Sequence, residues 1–95
     1  MAGVIGIDQV KNWDEYTVDC NRATKCTVYN IRNTTLNVPS GVGDIGLMLT
    51  LVDRSNYTLV QIIFDSNGNL YFRSSWNGGS TWREWKEGTT STQTL

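Results

Sequence analysis

Two tight turns set between three β-type runs constrain the fold of this chain more than any other feature. Ile45–Val52 is almost continuously apolar, Asp53-Arg54-Ser55-Asn56 is a turn, and residues 57–64 form a second β-type run. Asp65-Ser66-Asn67-Gly68-Asn69 turns the chain again before residues 70–76, with Asn-Gly supplying positive φ at low cost. Runs rich in β-branched and aromatic residues, joined by such short turns, form an antiparallel meander. Upstream, Cys26, Val28 and Asn30 alternate with Thr27, Tyr29 and Ile31, which adds a strand. Residues 33–44 read as a long loop, since Pro39 excludes a central strand there. The fold class expected is mainly β, a small antiparallel sheet of about four strands.

Neither side of the middle strands is cleanly polar. Leu47, Leu49 and Leu51 oppose Met48, Thr50 and Val52, while Val60, Ile62 and Phe64 oppose Leu59, Gln61 and Ile63. A half-buried antiparallel sheet alternates apolar with polar, so here both sides need cover. A chain of 95 residues has only short segments left to provide it. One face is therefore expected to pack on the N-terminal segment of its own chain and the other to meet copies of itself. Residues 1–12 read as a lead-in or stalk end, 13–87 as the domain and 88–95 as a polar tail. Between residues 12 and 23, Trp13, Tyr16 and Val18 suit either a short helical turn or an extended loop. Asp14 is placed as an N-cap and Glu15 in a first turn, so a short N-terminal helix is one expectation.

Composition narrows the function. Eight basic and nine acidic side chains leave a net charge of −1, with no basic stripe to neutralise phosphates, so no nucleic-acid partner is expected. The same balance argues against a polybasic membrane anchor, and no run approaches the roughly 18 apolar residues of a membrane span. Histidine is absent, which removes His-based acid–base catalysis, His-dependent nucleophile triads and most zinc sites. Cys20 and Cys26 have no second pair to complete a metal site. The N-terminus lacks the basic start and apolar core of a signal peptide, so synthesis in the cytoplasm with both thiols free is expected.

The carboxylates offer little to an enzyme. Glu84 and Glu87 would share a face of a helix, but a domain this small has no room for a glycosidase groove, and solvated surface charge is the expected role. The run from Asp65 to Asn69 has a faint calcium-loop pattern but lacks the distal Glu, and a turn is expected. Asn33 and Asn56 begin glycosylation sequons, which matter only in a secreted eukaryotic protein. No catalytic residue, cofactor or metal is expected.

Trp76, Trp82 and Trp85 fall within ten residues of one another. Ordered along the chain, Asp19-Cys20-Asn21, Val28-Tyr29-Asn30-Ile31, Asn37-Val38-Pro39, Ile45–Val52, Val60-Gln61-Ile62, Tyr71-Phe72-Arg73-Ser74 and Trp82-Arg83-Glu84-Trp85-Lys86 form a pattern. It resembles the knob-type domain of pyocin and bacteriophage tail fibres over residues 13 to 87. Two departures stand out. Lys25-Cys26 replaces the usual Gly before the strand Tyr, and Arg83-Glu84 separates the closing tryptophans. The resemblance implies a non-enzymatic, knob-like fibre-tip domain displayed as a homotrimer. It would recognise a bacterial cell-surface glycan or other receptor as part of a virion assembled in the host cytoplasm. Alternatives are a fibre trimerisation module with no ligand site of its own, and a carbohydrate-binding module attached to a hydrolase.

Sugar binding suits the residues at hand, because aromatic rings stack on pyranose faces while polar side chains fork onto hydroxyls. Trp76, Asn77, Arg73 and Tyr71 are the candidate binding residues, at the mouth of one turn. Trp82 and Trp85 are expected to plug the core instead. Arg73 is also expected to pair with Asp53 or Asp65 across the sheet.

Overall fold

A computed structural model describes residues 17–88. The chain folds into one antiparallel sheet of five strands in sequential order: β1 (Thr27–Arg32), β2 (Ile45–Val52), β3 (Leu59–Asp65), β4 (Leu70–Ser75) and β5 (Lys86–Glu87). The mainly β, meandering class read from the sequence is thus correct, with one strand more than expected. β5 is a two-residue addition that pairs with Tyr71 and Phe72, and Gly88 N–H extends the ladder to Leu70 C=O at 2.8 Å. The short helix proposed from Asp14 begins outside the described residues. Within them a 3-10 turn, Cys20–Arg22, follows Asp19, whose side chain caps it by accepting from Asn21 N–H.

Both turns owe their shape to an aspartate. In the β2–β3 loop Asp53 accepts from the Ser55 hydroxyl at 2.9 and 2.8 Å and from Thr58 N–H at 3.1 Å. In the β3–β4 turn Asp65 Oδ1 accepts from Asn67 and Asn69 N–H groups, while Gly68 takes the φ of +82° that the turn requires. The other oxygen of Asp65 accepts from Gly43 N–H at 2.8 Å, tying the long loop to the sheet.

Strand register sorts the side chains into two faces. The inner face carries Thr27, Thr50, Gln61 and Arg73 in one row and Tyr29, Met48, Ile63 and Tyr71 in the next. Among the described residues its cover consists of the 3-10 turn, the 33–44 loop and the segment bearing Trp82 and Trp85. Cys20, Ala23, Ile31, Met48, Ile63 and Tyr71 form the core between them, with Tyr29, Val38, Val42 and Trp85 packed against it. The opposite, outer face carries Val28, Leu49, Ile62 and Phe72 in one row, and Leu47, Phe64 and Leu70 beside Asn30 in another. No described residue buries Leu47, Leu51, Phe64 or Phe72, all of which are exposed. The face with more polar side chains is the buried one.

Candidate functional site

Arg73 stands at the centre of the inner face. Its row is polar because strand alternation puts Thr50, Gln61 and Arg73 on the side that meets backbone carbonyls of the 3-10 turn. Gln61, fully buried, donates from Nε2 to Cys20 O at 2.8 Å and to Ala23 O at 3.1 Å, and accepts Arg73 Nε on Oε1 at 2.8 Å. Thr50 adds a hydroxyl bond to Ala23 O at 3.0 Å. The Arg73 guanidinium lies 4.3 Å from the ring centroid of Trp82 and 4.5 Å from that of Trp85. The indole faces offer the cation a partner where water is excluded. Burial still depresses the Arg73 pKa to about 10, opposed by the Cys20 and Asp19 groups nearby, so the side chain stays a cation at neutral pH.

Hydrogen bonds close this arrangement into a circuit. Trp85 Nε1–H donates to Asn37 O at 2.8 Å, and Asn37 Nδ2 donates to Asp19 Oδ1 at 2.8 Å. Asp19 caps the 3-10 turn, whose carbonyls return to Gln61 and so to Arg73. The Asn37 amide, together with Asn21 N–H and the nearby Arg22 charge, lowers the Asp19 carboxyl pKa against the effect of burial. Cys20, sealed beneath the turn, has its thiol pushed up to about 12 by desolvation, which makes it inert as a nucleophile; Cys26 is exposed, and both are free thiols. Three buried polar atoms have no hydrogen-bond partner among the described residues: Arg73 Nη2, Trp82 Nε1 and Asn21 Oδ1.

The four candidate binding residues divide between two places. Tyr71 and Arg73 are buried on the inner face, with the Tyr71 hydroxyl donating to Gly41 O at 3.1 Å. Arg73 pairs with neither Asp53 nor Asp65, because both carboxylates are engaged by the N–H and hydroxyl groups of their own turns. Trp76 and Asn77 lie beyond the end of β4. Asn77 is half-buried, and its Oδ1 accepts from the Ser75 hydroxyl and from Thr81 N–H, so it builds the turn in which Gly78 and Gly79 take positive φ. Trp76 is 49% exposed.

Around Trp76 the structure gathers residues that sequence reasoning missed. Arg83, held beside β4 by its N–H bond to Ser74 O at 2.9 Å, stacks its guanidinium 4.5 Å from the Trp76 ring centroid. Gly78 N–H donates to Tyr57 O at 2.9 Å, which joins the turn after β4 to the β2–β3 loop, and Tyr57 is itself 65% exposed. The signal for this grouping was topological: in a meander, the β2–β3 loop and the C-terminal end of β4 lie at the same end of the sheet. Trp82 and Trp85 pack over the inner face as expected, in a segment with no regular secondary structure.

Exposed aromatics beside a guanidinium and turn amides can stack on an apolar ring face and bond to its hydroxyls. They supply no proton-transfer pair. Among the described residues no cluster of three or more Cys, Asp or Glu could hold a metal, and no helix is long and apolar enough to cross a membrane. No family model, curated protein or solved structure matches the chain.

Proposed function

We propose that the chain is a non-enzymatic receptor-binding domain, a tail-fibre knob displayed as a homotrimer, that holds a bacterial surface glycan through Trp76. The observation that carries this reading is the division of labour among the late tryptophans. Trp82 and Trp85 are spent on Arg73 and the core, whereas Trp76 stays half exposed with Arg83 against it and Tyr57 on the adjoining loop. A large aromatic kept at the surface of a small domain is characteristic of recognition surfaces. Arg83 would add hydrogen bonds to hydroxyl or carboxylate groups of the sugar. In this arrangement Arg73 and Tyr71 serve the framework from beneath, and Asn77 fixes the turn that presents Trp76.

Replacing Trp76 with Ala is expected to abolish binding to a glycan array or to host cell-wall preparations while leaving the melting temperature within a few degrees of wild type. Binding that survives this change would refute Trp76 as the contact. The structural alternative, a fibre module with no ligand site, is favoured by the apolar outer face, which no described residue covers. It predicts that Trp76→Ala has no effect on attachment and that Leu49→Asp abolishes assembly.

A further inference from the structure

Asn67-Gly68 and Asn77-Gly78 are the two Asn-Gly pairs of the chain, and the fold treats them differently. A glycine after asparagine leaves its backbone nitrogen unhindered, so that nitrogen can attack the side-chain amide carbon in front of it. Asn77 is guarded against this attack. It is half-buried, and its Oδ1 accepts from the Ser75 hydroxyl at 3.0 Å and from Thr81 N–H at 2.9 Å, while Gly78 N–H is held by Tyr57 O at 2.9 Å. Asn67 sits exposed at the tip of the β3–β4 turn, and among the described residues no hydrogen bond holds its side chain. Gly68 is exposed too, and no atom lies within 4 Å of where a Cβ on it would stand. One backbone bond, Gly68 N–H to Asp65 O at 3.1 Å, has to open before the nitrogen can turn toward the Asn67 side chain. Exposed turn bonds of this kind open at little cost.

We propose that Asn67 is a site of covalent self-modification, at which the turn converts a side-chain amide to a carboxylate with water as the only co-reactant. Hydroxide takes the Gly68 amide proton, and the nitrogen forms a bond to Asn67 Cγ. The Cγ–Nδ2 bond breaks, and Nδ2 leaves as ammonia on taking a proton from water, which restores the hydroxide and closes a cyclic imide. Water then opens the imide. Cleavage between the nitrogen and Cγ yields an aspartate, and cleavage at the α-carbonyl yields an isoaspartate whose main chain runs through the side-chain carbons. The isoaspartate adds an extra atom to the backbone of a hairpin loop, where loop length and turn type set the strand pairing. Asp65 is the residue this disturbs. Its Oδ1 accepts from Asn67 and Asn69 N–H groups and its other oxygen from Gly43 N–H, so distorting the turn loosens the long loop from the sheet. The site lies at the end of the sheet away from Trp76, and the proposal stands apart from the glycan reading.

The full chain is to be incubated at mildly alkaline pH, folded and in urea, and followed by peptide mass spectrometry with electron-based fragmentation, which separates isoaspartate from aspartate. In the folded chain conversion at Asn67 should run at least about tenfold faster than at Asn77, the factor expected of two side-chain hydrogen bonds that must open first. In urea, where neither turn persists, the two rates should converge. Incubation in heavy-oxygen water should leave the label on the carboxylate at position 67, the mark of an opened imide. Converted chains carry an added negative charge and separate by ion exchange. In that fraction amide hydrogen exchange at Gly43 should quicken while far-UV dichroism keeps the sheet signature. Asn67→Ser, which has no side-chain amide, should remove the new charge form, and Asn77→Ser should leave it. Comparable rates at the two sites in the folded chain would overturn the proposal. So would a rate difference that survives in urea, or an Asn67 amide still intact in the folded chain after the unfolded chain has converted. Unchanged exchange at Gly43 would overturn the loosening of the loop.

Discussion

Arg73 shows how much one side chain can organise in a domain of this size. Its guanidinium is stripped of water, stacked between two indoles and bonded to Gln61. Arg73→Met keeps the stem but leaves Gln61 Oε1 without its donor, and should cost about 1–3 kcal/mol, read as a lower midpoint in thermal melts. Asp65 is the second such residue. Desolvation raises its carboxyl pKa, but N–H groups of Asn69, Gly43 and Asn67 outweigh that effect and the net shift is downward. Asp19 and Asp53 are lowered too, the former chiefly by Asn37 and the latter chiefly by the Ser55 hydroxyl. A carboxyl whose folded pKa lies below its unfolded value stabilises fully above the unfolded value, near 4. That contribution is lost as pH falls through the folded one. Urea midpoints from pH 7 down to 2 should therefore fall below about pH 4, and Asp65→Ala should lower the neutral-pH plateau while flattening that acid limb.

Among the elements, the hydrogen-bonded circuit matters more than any strand alone. It runs from Trp85 through Asn37 and Asp19 to the 3-10 turn, and back through Gln61 and Arg73. Members of one network couple energetically even when they do not touch. In a double-mutant cycle, Gln61→Met and Trp85→Phe should deviate from additivity by at least about 0.5 kcal/mol in urea-derived stability, and strict additivity would show that the cover is held piecemeal. The strands themselves were legible because their signals are local. β2 was read with both ends correct, and the Asp53 and Asp65 turns followed from side chains that bond to their own backbone. β5 was not legible, since Lys-Glu carries no β-type signal and its pairing with Tyr71 and Phe72 comes from the chain folding back. The candidate site was half legible. Trp76 stood out beside a glycine turn, but linear proximity also drew in Arg73 and Tyr71, which strand alternation sends to the interior.

For the whole molecule, hydropathy could show that both sheet faces want cover but not which would receive it. The side with Thr50, Gln61 and Arg73 is covered because its polar groups meet the carbonyls of the 3-10 turn, while the side centred on Leu49 and Ile62 is covered by no described segment. Hydration of newly exposed hydrocarbon is what gives protein unfolding its heat-capacity step, usually about 12–15 cal/mol/K per residue. A chain that already shows Leu47, Leu51, Phe64 and Phe72 to water has less hydrocarbon left to uncover. If the proposed homotrimer covers this face, scanning calorimetry should give wild type a step within that range and Phe64→Lys a step below it. The shortfall would measure how much of this fold's temperature response belongs to contacts between chains.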